Sequence, residues 1–417
     1  MDNPAVLPAE DVRTQKSHFF SHYTDYTITE LCIVGQLINK YVIITDAQSL
    51  PVTPNVILCV AKDLICRKRQ NDGKDSSLAF RMTPHRRTTV LYKNEMPAAL
   101  VSDIQKYTIH DGPGIRTAVF FKGCNMRCLW CSNPETIDPK PRLGVYPSKC
   151  LSIQKCGYCL KTCPISTGAP ICHDENVVLN AIDMIPECEN CYKCAEVCPS
   201  RAIKLWGELF TVDELMKIIK EDQGFYDRSG GGVTLTGGEV IVQREFAELL
   251  LKACKEAGIN TCVETALHCP AEYLDAIYRN TDLVITDIKH MDIHKHRKFT
   301  GVGNELILKN IIRTIELSKK LVIRTPVVMG YNDDDENIRA TGAFIRDKLG
   351  CNVLQYQLLP YRKLGTEKYD SLNQAYPMGD YAPPDRELWE RNLLRLADIL
   401  VTEFDIPAVA GSGKKFE

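Results

Sequence analysis

Three cysteines spaced for metal ligation, Cys124, Cys128 and Cys131, lie within residues 123–131. A cubic iron–sulfur cluster has four irons, and a protein normally caps each iron with one thiolate. A set of three thiolates leaves one iron open, much as a catalytic zinc keeps an open position that a structural zinc lacks. The three cysteines therefore predict a metal cluster at which a small molecule is bound and attacked.

Eight further cysteines form two runs downstream, and each run ends in a cysteine followed by proline. The first run comprises Cys150, Cys156, Cys159 and Cys163, and the second comprises Cys188, Cys191, Cys194 and Cys198. The second run has the bacterial ferredoxin spacing, in which the fourth cysteine of each run ligates the other cluster. In the first run the leading cysteine is displaced by three residues. A pair of zinc knuckles is the alternative, but the prolines and the close spacing favour two fully ligated 4Fe–4S clusters that relay electrons.

Length and composition describe a chain that can hold two or three domains. The 417 residues are 44% hydrophobic and 25% charged, which is typical of a soluble globular protein, and the net charge of −2 does not indicate nucleic acid or an acidic membrane as partner. No apolar run approaches the ~20 residues of a membrane span, and the start lacks a secretory signal. Nineteen cysteines, eleven of them at metal-ligand spacing, indicate a reducing cytoplasm and iron–sulfur chemistry rather than disulfides.

Short β-branched or apolar runs alternate with amphipathic helical patterns from about residue 99 onward. Six runs follow this rhythm: 118–123, 233–237, 260–265, 283–289, 322–328 and 353–359. Strands that alternate with helices predict parallel βα units, whose active sites lie at the carboxyl ends of the strands. The predicted fold is therefore α/β, a partial (β/α)6 TIM-like barrel, with an inserted ferredoxin-like two-cluster domain.

The domain boundaries follow from this pattern. Residues 98–139 begin the barrel and carry the three cysteines, 140–206 form the insert, and 207–417 complete the barrel. Residues 1–97 form an extension of unknown role, with no sustained period and no visible chemistry. Either the working domain begins near Met96 and the rest is an appendage or an upstream misreading, or the extension is a docking segment.

The spacing Cys-x3-Cys-x2-Cys resembles the radical S-adenosylmethionine superfamily. The run from Ile109 to Thr117, the cysteine triad and the run from Ser132 to Glu135 together look like the activating enzymes of glycyl radical enzymes, and the insert matches their ferredoxin-bearing branch. The resemblance covers about residues 100–417. Residues 361–380 look most like activating enzymes of arylacetate decarboxylases and benzylsuccinate-type synthases.

This resemblance implies an anaerobic oxidoreductase with S-adenosylmethionine and three 4Fe–4S clusters. Cys124, Cys128 and Cys131 would hold the catalytic cluster, whose open iron chelates the amino and carboxylate groups of S-adenosylmethionine. Reductive cleavage yields a 5′-deoxyadenosyl radical, which takes a backbone hydrogen from a glycine of a partner glycyl radical enzyme. A flavodoxin or a ferredoxin would supply electrons through the insert.

The resemblance also implies cofactor contacts, which fall mostly at strand ends. They are Trp130, Ser132, Gly237, Gly238, Glu239, Glu264, Thr265, Asp287, Lys289 and Arg324, and Lys289 joins the triad among the catalytic residues. Ordinary structural alternatives exist for several of them. A turn and a solvated carboxylate would explain Gly-Gly-Glu, core packing would explain Trp130, and a buried ion pair would explain Arg324.

The chain departs from the family pattern at four places. Val240 and Met329 replace prolines, residues 266–268 replace Ser-Gly, and Arg362 occupies a place often held by a cofactor-contacting histidine. These departures leave the class intact. A radical enzyme that acts on a small molecule and a ferredoxin-like electron carrier are the competing hypotheses. The carrier is disfavoured because it would leave the open triad without a purpose.

Overall fold

The computed structural model describes residues 79–80, 90–165, 188 and 190–411. All of them belong to the unit Ser77–Glu417. The predicted N-terminal extension therefore lies outside the described residues, except for 79–80 and 90–97. The predicted boundary at 97/98 falls inside a long strand, Met96–Thr108, which pairs with the strand Leu91–Lys93.

β-Branched and aromatic runs form thirteen strands in the described part of the chain. They are β1 (Ala79–Phe80), β2 (Leu91–Lys93), β3 (Met96–Thr108), β4 (Arg116–Phe121), β5 (Arg142–Val145), β6 (Ile203–Trp206), β7 (Glu208–Thr211), β8 (Gly232–Gly237), β9 (Asn260–Glu264), β10 (Leu283–Asp287), β11 (Lys320–Val327), β12 (Gln355–Pro360) and β13 (Ala408–Ala410).

Amphipathic runs form eleven α-helices over the same residues. They are α1 (Tyr158–Thr162), α2 (Lys193–Glu196), α3 (Val212–Lys220), α4 (Gln223–Ser229), α5 (Arg244–Glu256), α6 (Glu272–Tyr278), α7 (Ile293–Thr300), α8 (Glu305–Glu316), α9 (Asp335–Leu349), α10 (Thr366–Ser371) and α11 (Arg386–Phe404). None of the described helices has the length and apolarity needed to cross a membrane.

A mixed sheet organises these elements. The strands β4, β8, β9, β10, β11, β12 and β13 lie side by side and run parallel in that order. The first six are the predicted strands, and β13 is an addition that the sequence did not predict. At the other edge β3 runs antiparallel to β4 and carries β7. The α/β class is confirmed, and the six βα units are consistent with a partial barrel.

A buried arginine begins β4, at the amino ends of the parallel strands. Arg116, fully buried, donates from Nε to Thr234 Oγ1 at 2.7 Å and from a terminal nitrogen to the Val233 carbonyl at 2.7 Å. A buried charge needs such partners, because desolvation without them is costly. Arg116 therefore joins the start of β4 to β8 through buried hydrogen bonds.

The cysteine-rich segment that is predicted as the insert, residues 140–206, includes a small two-stranded sheet. Strands β5 and β6 pair antiparallel, with Arg142 opposite Trp206. Leu143, Val145 and Ile203 form a small buried core on this sheet. The sheet, α1 and α2 therefore give the two cysteine runs a common scaffold within residues 142–206.

Candidate active site

The triad loop, residues 123–131, directly follows β4 and stands at the carboxyl edge of the parallel strands. The N–H of Gly123 donates to the Thr136 carbonyl at 2.7 Å, and the N–H of Leu129 donates to the Phe299 carbonyl at 2.9 Å. These backbone bonds hold the loop from two sides, so the positions of the cysteines are set by neighbouring elements of the barrel.

The thiols of the triad lie in a dry environment. Burial raises the pKa of Cys124 to about 11 and the pKa of Cys131 to about 12, and it also raises the pKa of Cys128. Within the described residues, no three His, Cys, Asp or Glu side chains converge so as to hold a single metal ion. Each cysteine of a cubic cluster caps a different iron, so cluster ligation does not require such convergence.

A cavity of about 350 Å³ lies against the triad loop and the carboxyl ends of the strands. Every predicted cofactor-contacting or catalytic residue except Glu239 lines it. These lining residues are Cys124, Cys128, Trp130, Cys131, Ser132, Gly237, Gly238, Glu264, Thr265, Asp287, Lys289 and Arg324. The structure thus brings together residues that are up to 200 positions apart in the sequence.

Gly237 and Gly238 pack against the base of the triad loop. A Cβ on Gly238 would lie 2.3 Å from the Gly123 carbonyl oxygen, and a Cβ on Gly237 would lie 2.5 Å from the backbone of Phe121. Gly237 also has a φ of +112°, which side chains rarely adopt. Both glycines are therefore required by close backbone packing, whether or not a ligand also approaches them.

Glu239 is 1% exposed and does not line the cavity. Its carboxylate accepts hydrogen bonds from Thr265 Oγ1 at 2.7 Å, Ala266 N–H at 2.9 Å and Ile241 N–H at 3.1 Å. Burial raises the pKa of Glu239, and these three donors oppose that effect. The side chain thus ties the end of β8 to the end of β9, and a direct contact with a ligand stays a prediction.

Glu264 and Arg324 form an ion pair on the inner face, with Arg324 NH1 and Glu264 Oε1 2.6 Å apart. Arg324 also donates to Gln357 Oε1 at 2.9 Å and to the His110 carbonyl, and Thr236 Oγ1 donates to Glu264 Oε2 at 2.7 Å. This polar network joins residues on β8, β9, β11 and β12. The predicted alternative of a buried ion pair at Arg324 therefore describes the structure, and the pair also lines the cavity.

Asp287 and Lys289 form a second ion pair beside the triad, with Lys289 Nζ 2.9 Å from Asp287 Oδ2. Burial lowers the pKa of Lys289, but Asp287 and the Cys128 thiolate outweigh burial and raise it above its ordinary value. Lys289 therefore stays charged at neutral pH. Burial raises the pKa of Cys128 overall, and the charge of Lys289 opposes part of that rise, which favours the thiolate form that a metal needs.

Trp130 lines the cavity with its aromatic ring, and its indole N–H is a further feature of the site. Its ring packs against Phe299 and Tyr331 at centroid distances of 5.8 and 6.2 Å. Within the described part of the chain, its buried Nε1 has no hydrogen-bond partner. Core packing and a ligand contact are therefore compatible at Trp130. Ser132, in contrast, is exposed at the cavity rim.

Several residues of the site were missed at the sequence level. Thr236 and Gln357 complete the polar network, and fully buried Asn332 donates to the carbonyls of Lys289 and Pro326 at 3.0 and 2.9 Å. Asn332 thereby ties the end of β10 to the end of β11. The strand register pairs Arg324 with Gln357, so a register argument could have found Gln357.

The eight cysteines of the insert separate into two groups. Cys150, Cys156, Cys159 and Cys198 line one small cavity. In the other group, burial and then the thiols of Cys191, Cys163 and Cys188 raise the pKa of Cys194 to about 12. Each group therefore contains three cysteines of one run and the fourth cysteine of the other, which is the exchange expected of the ferredoxin pattern.

The family follows from comparisons with known proteins. Residues 190–341 match the Radical SAM superfamily, and residues 110–163 match a 4Fe-4S single cluster domain. The chain is 42% identical to the (2S)-3-sulfopropanediol dehydratase activating enzyme of Klebsiella oxytoca, over 77% of this chain and 100% of that protein. This chain belongs to the activating enzymes of glycyl radical enzymes.

Other activating enzymes share most of their length with this one. The isethionate sulfite-lyase activating enzyme of Oleidesulfovibrio alaskensis is 38% identical over 74% of this chain and 97% of that protein. The indoleacetate decarboxylase activating enzyme of Tractidigestivibacter scatoligenes is 36% identical over 72% and 94%. Arylacetate decarboxylase activating enzymes, which residues 361–380 resemble, are thus among the relatives but do not exceed the sulfonate-related ones in identity.

Proposed function

We propose that this activating enzyme reductively cleaves S-adenosylmethionine and abstracts a backbone hydrogen from a glycine of a partner glycyl radical enzyme. The observation that carries the proposal is the shared cavity, in which the cysteine triad faces Arg324 and the Asp287–Lys289 pair. An ordinary electron carrier would need neither the cavity nor these charges.

The residues around the cavity fit a cluster with an open iron. Cys124, Cys128 and Cys131 would hold the cluster through their thiolates, and Lys289 offsets part of the added negative charge. When bound, such a cluster supplies the electron that breaks a C–S bond of S-adenosylmethionine, which gives methionine and a 5′-deoxyadenosyl radical. The unpartnered Trp130 Nε1 offers a donor to the ligand.

Arg324 is the residue that we propose for the methionine carboxylate. A guanidinium has five N–H groups, and Arg324 directs three of them to Glu264, Gln357 and His110. In the described part of the chain this leaves two N–H groups for a carboxylate. Because the guanidinium is 5% exposed, a charge-assisted hydrogen bond formed there is strong.

Other polar groups complete the proposed ligand site. A carboxylate has about four acceptor positions, so Glu264 can receive an ammonium group while it retains Arg324 and Thr236. Glu239 and Thr265 hold the backbone at the end of β9, and Gly237 with Gly238 hold the base of the triad loop. We therefore propose Glu264 and Asp287 as direct contacts, Lys289 as catalytic support, and Glu239 as a contact only if its buried carboxylate turns toward the cavity.

We propose that the insert holds two further 4Fe–4S clusters, which makes three in all. The two groups of four cysteines support this count, because four thiolates leave no iron open for a substrate. Electrons would enter from a flavodoxin or a ferredoxin and reach the triad through the insert. This scheme agrees with a reducing, cytoplasmic and anaerobic setting.

Electron paramagnetic resonance on anaerobically reconstituted protein tests the proposal. We expect S-adenosylmethionine to change the spectrum of the reduced triad cluster, and a reductant to yield 5′-deoxyadenosine. An unchanged spectrum would exclude the open-iron site. Glycyl radical formation is then assayed with a glycyl radical enzyme encoded nearby. Turnover of a small molecule without any protein partner would favour the competing radical enzyme.

A further inference from the structure

The segment that follows the triad, residues 132–137, supports the start of the triad loop. The carbonyls of Thr136 and Ile137 accept the N–H groups of Gly123 and Cys124 at 2.7 and 3.0 Å. A movement of this segment would therefore move the first cysteine ligand.

A lysine from a distant part of the chain holds this segment. Lys368, on α10, donates from Nζ to Glu135 Oε1 at 2.6 Å and to Asn133 Oδ1 at 2.9 Å. Glu135 is 2% exposed, and its second carboxylate oxygen is buried with no partner in the described part of the chain. Lys368 thus forms an ion pair with a carboxylate placed just behind the triad, and buried Lys122 donates from Nζ to the backbone carbonyl of the same residue.

The same helix also contacts the insert. Lys368 Nζ lies 5.6 Å from the ring centroid of Trp206, the last residue of β6. Leu372, at the end of α10, forms a buried apolar cluster with Tyr146 and Trp206. A Cβ on Gly144 would lie 3.1 Å from the hydroxyl of Ser371, so α10 packs closely on β5 as well.

These contacts place α10 between the two parts of the protein that carry cysteine clusters. The ammonium group of Lys368 contacts the segment behind the triad, and it also lies near the ring of Trp206 at the end of the insert sheet. Lys204, which lies 3.6 Å from the same Trp206 ring, belongs to the insert alone. The orientation of the insert relative to the triad depends on contacts that cross between the two parts, and Lys368 makes one of them.

We propose that Lys368 is a positioning residue that keeps the insert at a fixed distance and orientation relative to the triad for electron delivery; this inference rests on the proposed function. In the step concerned, one electron leaves a reduced cluster of the insert and enters the triad cluster, and no bond forms or breaks. The reductant is an external low-potential flavodoxin or ferredoxin. Lys368 acts through Glu135, Asn133 and Trp206 and touches no reacting atom.

The test compares two routes of reduction in holoenzyme variants. Lys368→Met is compared with Lys368→Arg, and Lys252→Met is the control because it removes an equally charged side chain from an exposed helix position. S-adenosylmethionine cleavage is measured with dithionite, a small reductant that can reach the triad directly, and with reduced flavodoxin. Iron content and the triad spectrum are measured on the same samples.

We expect Lys368→Met to slow the flavodoxin-driven reaction about tenfold, while the dithionite-driven rate, iron content and triad spectrum stay close to wild type. Lys368→Arg should recover most of the loss. Equal slowing of both routes with loss of iron would indicate a merely structural role, and unchanged rates would likewise overturn the proposal.

A further variant guards against misfolding. Lys368→Met combined with Glu135→Gln removes the unpaired buried carboxylate but does not restore the contact of Lys368 with Trp206, so only the flavodoxin route should remain slow. Recovery of that route would show that the buried charge alone mattered, and would overturn the positioning role. If wild-type protein cleaves no S-adenosylmethionine with dithionite, the proposed function fails instead.

Discussion

At the scale of single residues, the site is built from charges that the protein has already paired. Arg324 lies against Glu264, and Lys289 lies against Asp287. A charge buried without a partner is costly, so pairing is what permits these groups to line a partly buried cavity. The same residues can therefore form a structural ion pair and contact a ligand, since each pair retains hydrogen-bonding capacity toward the cavity.

Replacement of Arg324 by lysine should weaken S-adenosylmethionine binding about tenfold or more. Lysine keeps the charge but loses the planar fork that serves Glu264, Gln357 and a ligand carboxylate together. The dissociation constant of reconstituted protein, measured by equilibrium dialysis, checks this expectation. Arg313→Lys, at an exposed position, is the control. Wild-type affinity of the Arg324 variant would contradict the proposed carboxylate contact.

Gly238→Ala should destabilise the protein by about 1–3 kcal/mol, because the new Cβ overlaps the Gly123 carbonyl and displaces the triad loop. Chemical denaturation gives the free energy of unfolding, and iron content reports the loop. Gly224→Ala is a matched control in α4, where an added Cβ meets nothing within 4 Å. Helix propensity should make that control neutral or slightly stabilising. Equal stabilities of the two variants would refute the close-packing explanation.

At the scale of elements, the ends of neighbouring strands are tied by side chains as well as by the ladder. Asp282 is one such tie, since its carboxylate accepts the Thr261 N–H at 2.9 Å and lies 2.7 Å from Lys255 Nζ. Burial raises the pKa of Asp282, but these partners outweigh burial and lower it below its ordinary value. The tie joins the start of β9 to the start of β10.

Asp282→Asn should lower the free energy of unfolding by about 1 kcal/mol, because a partly exposed charged hydrogen bond contributes little more. The folded pKa lies below the unfolded value of 3.8, so this stability is present above pH 3.8 and is lost as pH falls through the folded pKa. Urea unfolding at pH 5, 6.5 and 8 should therefore show a constant difference. A difference that changed across that window would contradict the lowered pKa.

The elements also show what sequence patterns can and cannot predict. The six parallel strands are predicted because each is a short β-branched or apolar run and helical patterns lie between the runs, which is typical of βα units. The inward turn of Glu239 was not predicted, because three donors from the β8 and β9 ends compete for its carboxylate. Nor could spacing predict the pairing of Lys368 with Glu135, since helix α10 reaches it across the fold.

At the scale of the whole molecule, the barrel and the insert should bind their iron–sulfur clusters independently of each other. The triad loop is held by Thr136, Ile137 and Phe299, none of which belongs to the insert. Three four-iron clusters require about twelve irons per chain, and the loss of one requires about eight. The architecture therefore predicts that loss of a cluster from the insert leaves the cluster of the barrel in place.

Replacement of Cys188, Cys191 and Cys194 by alanine tests this division. We expect iron content to fall from about twelve to about eight per chain, because one group of four loses three of its thiolates. The triad spectrum and its response to S-adenosylmethionine should persist, while flavodoxin-driven cleavage slows far more than dithionite-driven cleavage. Cys351→Ala, outside both runs, should leave all these readouts unchanged. Loss of the triad spectrum in the triple variant would show that the barrel cannot hold its cluster independently, and would contradict the separation of catalytic and electron-relay sites.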